Sequence, residues 1–122
     1  MKVENIKFKA KKTLDGKWIK GDLVHHKDSD NVWITDYENQ LTSPVNPSTV
    51  CQFTGLKDCE GKEIWEGDIL ERVIYDLFKG SSKVKAVIEY LNGAFVAITD
   101  GIPYSLYFKY IKVVGNKFDK EK

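Results

Sequence analysis

Residues 50–70, from Val50 to Leu70, read VCQFTGLKDCEGKEIWEGDIL, and this stretch decides the fold class. Gly55, Gly61 and Gly67 recur every six residues and bound short apolar runs at Phe53, Ile64-Trp65 and Ile69-Leu70. Glycine takes positive φ without a Cβ penalty, so this punctuation predicts short strands joined by tight turns. Asp58, Glu66 and Asp68 stand at or beside those turns, where a short carboxylate accepts backbone N–H groups. Gly55, Asp58, Gly61, Glu66, Gly67 and Asp68 therefore read as a structural signature, the glycines as backbone devices and the carboxylates as turn anchors.

The same grammar runs outward in both directions. Ile6, Phe8 and Ala10 alternate with Lys7, Lys9 and Lys11, the period of two that a strand requires, with a lysine face toward solvent. Leu14-Asp15-Gly16-Lys17 follows as a tight hairpin turn. Trp18-Ile19, Leu23-Val24 and Val32-Trp33-Ile34 are further short strands, separated by Gly21-Asp22 and by the polar loop Lys27 to Asn31. Pro44 and Pro47 lack the backbone donor that a sheet interior needs, so the segment from Asn39 to Ser48 reads as a connector. Later strands are expected over Asp68 to Tyr75, Lys83 to Tyr90, Ala94 to Ile98 and Tyr110 to Val114, with Asn92-Gly93 the sharpest turn signal. Pro103 suits the first position of a short helical or 3₁₀ turn running to Lys109. Val84, Ala86 and Ile88 share one strand face, and the core is expected to include Ile64, Ile69, Val87, Phe95, Val96 and Val113.

Three words in the central stretch, Phe53-Thr54-Gly55-Leu56-Lys57-Asp58, Gly61-Lys62-Glu63-Ile64 and Glu66-Gly67-Asp68-Ile69, resemble the signature of the YopX family of small phage and prophage proteins. Ile6 to Ala10 is similar to that family's opening strand and Val113 to Asn116 to its closing one, so the likeness spans most of the chain. The resemblance implies a β-rich fold with an SH3-like barrel in the C-terminal part and a phage or prophage origin, and brings no established activity. Cys51 stands where a glycine is common and Cys59 where a lysine is ordinary, so neither cysteine inherits a family role. The expected architecture is all-β: an N-terminal β-strand and hairpin portion over residues 1–49, a small antiparallel SH3-like barrel over 50–116, and a charged tail over 117–122.

A chain of 122 residues suffices for one domain of modest core or two small subdomains. The composition, 42% hydrophobic and 30% charged, is that of a soluble protein, and no apolar run approaches the roughly 18 residues of a membrane helix. The first residues carry no apolar core or cleavage site of a signal peptide, which predicts a cytoplasmic address in the bacterial host with no membrane attachment. There Cys51 and Cys59 remain thiols. Neither a metal nor any cofactor is expected. His25 and His26 are adjacent and point to opposite faces of a strand, and Asp28 to Asn31 lacks the glycine and closing glutamate of a calcium loop.

Enzymatic activity is not expected. Glu66 and Asp68 could share a face as paired carboxylates, but Gly67 between them and the turn setting favour backbone capping; nucleophile elbows and phosphate loops are absent. Net charge is +1, too small for the whole molecule to bind nucleic acid electrostatically. Local patches remain: Lys79, Lys83 and Lys85 in a flexible basic loop, extended by Lys7 and Lys9. The first functional reading is a protein-interaction module that docks on another copy, a phage protein or a host target. The alternative is a nucleic-acid-binding small barrel.

Overall fold

The protein is described by a computed structural model covering residues 2–78, 80–104 and 111–119. Eleven strands lie among those residues with two 3₁₀ turns, Val3–Asn5 and Pro47–Thr49, so the fold is all-β, built on two antiparallel sheets. The chain divides into two compact units, Met1–Phe53 and Thr54–Lys122.

In the first unit β1 (Phe8–Lys11), β2 (Trp18–His25), β3 (Val32–Asp36) and β4 (Thr42–Val45) pair in sequence order. The start of β5 (Cys51–Lys57) lies on the other side of β1. Register sets Ala10 beside Ile19 and Leu23 beside Ile34, and these side chains with Val45, Phe8 and Val32 form the core. The Asp15-Gly16 turn forms as expected, with Gly16 at φ 72° and the Lys17 N–H donating to Asp15 Oδ1 at 2.9 Å. The ends of β1 and β4 also meet. Thr13 N–H donates to Pro44 O at 3.1 Å and Asn46 N–H to Lys11 O at 2.9 Å. The buried Thr49 hydroxyl fastens this corner, accepting the Lys11 N–H at 2.9 Å and donating to Asn46 O at 2.7 Å.

Two local expectations are corrected here. Gly21-Asp22 does not separate two strands, because β2 runs straight through it. A Cβ at Gly21 would lie 1.7 Å from the Thr35 carbonyl oxygen, so the glycine permits close approach of β3 and makes no turn. Pro44, read as connector, lies in β4 opposite Trp33, an outer strand where a missing donor is tolerated, and Pro47 opens a 3₁₀ turn capped by Asn46 Oδ1.

The second unit contains the end of β5 together with β6 (Glu63–Trp65), β7 (Asp68–Asp76), β8 (Gly80–Leu91), β9 (Ala94–Thr99), β10 (Ile102–Tyr104) and β11 (Ile111–Asn116). Its five-stranded sheet has the order β10-β9-β8-β7-β11. Asn92 and Gly93, at φ 51° and 84°, make the expected hairpin between paired Leu91 and Ala94. Asp100-Gly101 makes a second turn of the same kind, at φ 52° and 77°, which the sequence reading passed over. Pro103 consequently sits in the outer strand β10 opposite Ile98 and starts no helical turn; residues 105–109 of that expected turn, and residue 110 of the expected last strand, lie outside the described residues.

The core is Ile64, Leu70, Ala86, Ile88, Ala97, Ile111 and Val113, with Phe95 packed against it. Ile64, Phe95 and Val113 fall as expected, whereas Ile69, Val87 and Val96 are only half-buried. The register explains the slip. Leu70 pairs with Ala86 and Ile88 with Ala97 on the inner face, leaving Ile69, Val87 and Ile98 in a row on the outer one.

No closed barrel forms among the described residues: the sheet is open, with β10 and β11 at its edges. A physical reason lies in the turn after β5. Where a closing strand would pair with β11, the Cys59 N–H donates to Ile111 O at 3.0 Å and the Asp58 carboxylate accepts the Val113 N–H. A side chain thus takes the place of part of a ladder.

Candidate functional site

Each glycine of the signature takes the backbone conformation that only glycine adopts cheaply: φ is 86° at Gly55, 82° at Gly61 and 84° at Gly67. Asp58 is 7% exposed and all its bonds go to main-chain amides. Oδ1 accepts the Glu60 and Lys62 N–H groups at 2.9 and 2.8 Å, and Oδ2 accepts Val113 N–H at 2.9 Å. Burial pushes this carboxyl up, but the donors from Val113, Lys62 and Glu60 outweigh it and hold the group below its ordinary 3.8.

Asp68 is 2% exposed. Its Oδ2 accepts Trp65 N–H at 2.7 Å and its Oδ1 accepts Asn116 Nδ2 at 3.0 Å, while Asn116 Oδ1 accepts Phe118 N–H at 2.9 Å. Between the two aspartates, Gly67 N–H donates to Ile88 O at 2.7 Å and Gly67 O accepts Lys117 N–H at 2.9 Å. Asp58 and Asp68 therefore hold β11 near its middle and at its end. Glu66 lies half-buried in the turn before Gly67. A carboxylate committed to amide donors is a weak base, so this arrangement is suited to holding strands.

The family model described as YopX protein matches residues 7–121, a span that contains both aspartate anchors and both sheets. The chain belongs to the YopX family. No curated protein matches it.

In this YopX protein the lysines of the two sequence-derived patches differ in setting. Lys7, Lys9 and Lys11 form no simple solvated face. Lys7 Nζ lies 4.7 Å from the centroid of the Phe53 ring, and Lys9 and Lys11 lie 4.6 and 5.3 Å from that of Trp18. All three are half-buried, since Lys11 is opposite Trp18 on β2 and Lys9 opposite Cys51 on β5, which brings rings and ammonium groups to one face. Lys83 in the second unit is 73% exposed and 3.6 Å from Glu71. Lys85 is exposed beside a groove of about 550 Å³ lined also by Ile69, Glu71 and Gly115. Lys79 lies outside the described residues. Lys7 and Lys9 thus belong to one compact unit, Lys83 and Lys85 to the other.

Among the described residues no group of three or more His, Cys, Asp or Glu side chains comes together to hold a metal ion. His25 is exposed at the end of β2, and His26 stands edge-on to Trp33 at 5.4 Å. Ser29 Oγ accepts Asn31 N–H at 3.1 Å, so the polar loop caps itself. Neither cysteine forms a disulfide: Cys51 is buried with its thiol donating to Thr49 O at 3.3 Å, and Cys59 is exposed. No helix among the described residues is long and apolar enough to cross a membrane.

Sequence reading missed the tip of the β7–β8 hairpin. The ladder runs out to Asp76 opposite Gly80, and beyond it Leu77 and Phe78 are 100% and 95% exposed. The signal was present as two bulky apolar residues inside a turn, a place where polar residues are usual.

Proposed function

We propose that this protein is a non-enzymatic accessory protein that acts as a protein-interaction module through the outer part of its second unit. The observation that carries this reading is the Leu77-Phe78 hairpin tip, two large apolar side chains at nearly full exposure at the end of the β7–β8 ladder. Support comes also from the signature, whose aspartates accept bonds from main-chain amides and, at Asp68, from the Asn116 side chain, as strand anchors do. A phage or prophage origin and an SH3-like character of the second unit rest on the family resemblance, and thiols that form no disulfide fit the expected cytoplasmic setting.

The alternative, a nucleic-acid-binding module, draws on exposed Lys83 and Lys85. It is weakened because Trp18 and Phe53 have lysine ammonium groups over their faces, where bases would have to stack. Retention on heparin and on single-stranded DNA across a salt series separates the two. The interaction reading predicts little retention even at low salt, together with a pull-down from lysogenic cells that Leu77→Asp/Phe78→Asp abolishes. Strong retention with a steep salt slope, unaffected by that variant, would favour nucleic acid.

A further inference from the structure

One end of β8 lies beside the exposed Leu77-Phe78 tip and the other end beside an apolar groove. Val87, Leu91 and Ile98 of the outer face, together with Tyr90, line a mainly apolar groove of about 540 Å³, with Glu89, Asp100 and Lys117 beside them. From Gly80 to Val87 the ladder rises roughly 23 Å at ~3.3 Å per residue, so one molecule cannot seat its own tip in its own groove. The charges left over lean the same way. Lys83 is paired with Glu71 and Glu89 with Lys117, which leaves exposed Lys85 on the tip half of the outer face and Asp100 on the groove half.

We propose that the groove receives the Leu77-Phe78 tip of a second copy of this chain, in a reciprocal exchange that forms a two-fold dimer. This rests on the interaction-module reading and names its partner. A two-fold axis across the middle of β8 brings each tip to the other molecule's groove, the self-complementary arrangement of an isologous interface. One tip alone is smaller than a stable interface requires. Reciprocal insertion also lays the half-buried Ile69 and the exposed Val73 of each outer face into the contact, which raises the buried area toward that of a standard interface.

Sedimentation velocity of the full chain over a concentration series tests this, using the parent, the tip variant Leu77→Asp/Phe78→Asp and the groove variant Ile98→Arg. The expected parent is a monomer–dimer equilibrium, and each variant alone weakens it by at least ~100-fold. An equimolar mixture of the two variants associates more tightly than either variant alone and more weakly than the parent, because the tip variant's groove and the groove variant's tip restore one of the two contacts. The tip residues are exposed, so the tip variant melts with the parent and decides the question even if the groove variant melts early. A parent that stays monomeric at every concentration overturns the proposal, as does a dimer that the tip variant leaves intact. A monomeric parent that binds anionic phosphatidylglycerol vesicles through the tip also overturns it. If a monomeric parent still captures another protein through the tip, only the second-copy inference falls; association of neither kind overturns the interaction reading as well.

Discussion

Asp58 and Asp68 show how much of this fold depends on single side chains. Asp58→Ala leaves three main-chain donors without their acceptor, and the expected loss is about 3 kcal/mol in denaturant melts. Asp68→Ala is expected to cost about 2 kcal/mol. The amide Asp68→Asn is less innocent than its shape suggests. It keeps one oxygen for Trp65 N–H but turns an NH₂ toward Asn116 Nδ2, itself a donor, while Asn116 Oδ1 is held by Phe118. A cost of about 1 kcal/mol follows, not the near-zero effect that a lone turn cap would give. Acid should find the Asp58 anchor too. Its carboxyl titrates below 3.8, so as pH falls the unfolded chain binds this proton before the folded one does. The contribution is complete above about pH 5 and is lost as pH drops through the folded value below about 4. Melting midpoints of the parent and of Asp58→Asn, measured across that range, should converge toward the acid end.

At the scale of elements, the glycines divide into two kinds that substitution should tell apart. Gly61→Ala meets nothing within 4 Å and suffers only its φ of 82°, an expected loss of about 1 kcal/mol. Gly21→Ala drives a Cβ against the Thr35 carbonyl and should cost about 3 kcal/mol or prevent the β2–β3 pair from forming. Thermal melts of the two variants give the comparison, and equal losses would contradict the close-approach reading of Gly21. The difference was illegible in the sequence, because both are a glycine beside an acidic or polar residue and only the neighbouring strand distinguishes them. Strands and hairpin turns were legible where period-two patterns and Asp-Gly or Asn-Gly pairs stood alone, as at Asp15-Gly16 and Asn92-Gly93. The inner face of the second sheet was not, since Ile69-Leu70, Ala86-Val87 and Ala97-Ile98 put apolar residues on both faces and the phase is settled by cross-strand register. Pro44 and Pro103 misled for a related reason: proline excludes a strand interior, but each sits on an outer strand. The roles of Asp58 and Asp68 were readable from their turns, while their grip on β11, about 50 residues away, was not. The lysine rows misread as solvated because Trp18 and Phe53 reach Lys7 and Lys9 only through strand pairing.

For the whole molecule, a net charge of +1 and a paired outer face of lysines and carboxylates argue for association by shape and apolar contact more than by field. Moderate salt should therefore leave self-association nearly unchanged, a point that sedimentation at low and physiological ionic strength checks. Two roles are separable in this molecule: the YopX signature holds β11 on the sheet, and the proposed self-contact falls to the far end of the β7–β8 hairpin. The most direct measurement of that division is the self-association constant of Glu66→Gln/Asp68→Asn, determined by sedimentation on protein confirmed as folded by circular dichroism. The account predicts a dissociation constant equal to that of the parent within about twofold, despite the lower melting point. A folded variant that no longer associates would contradict it and make the signature itself the functional site.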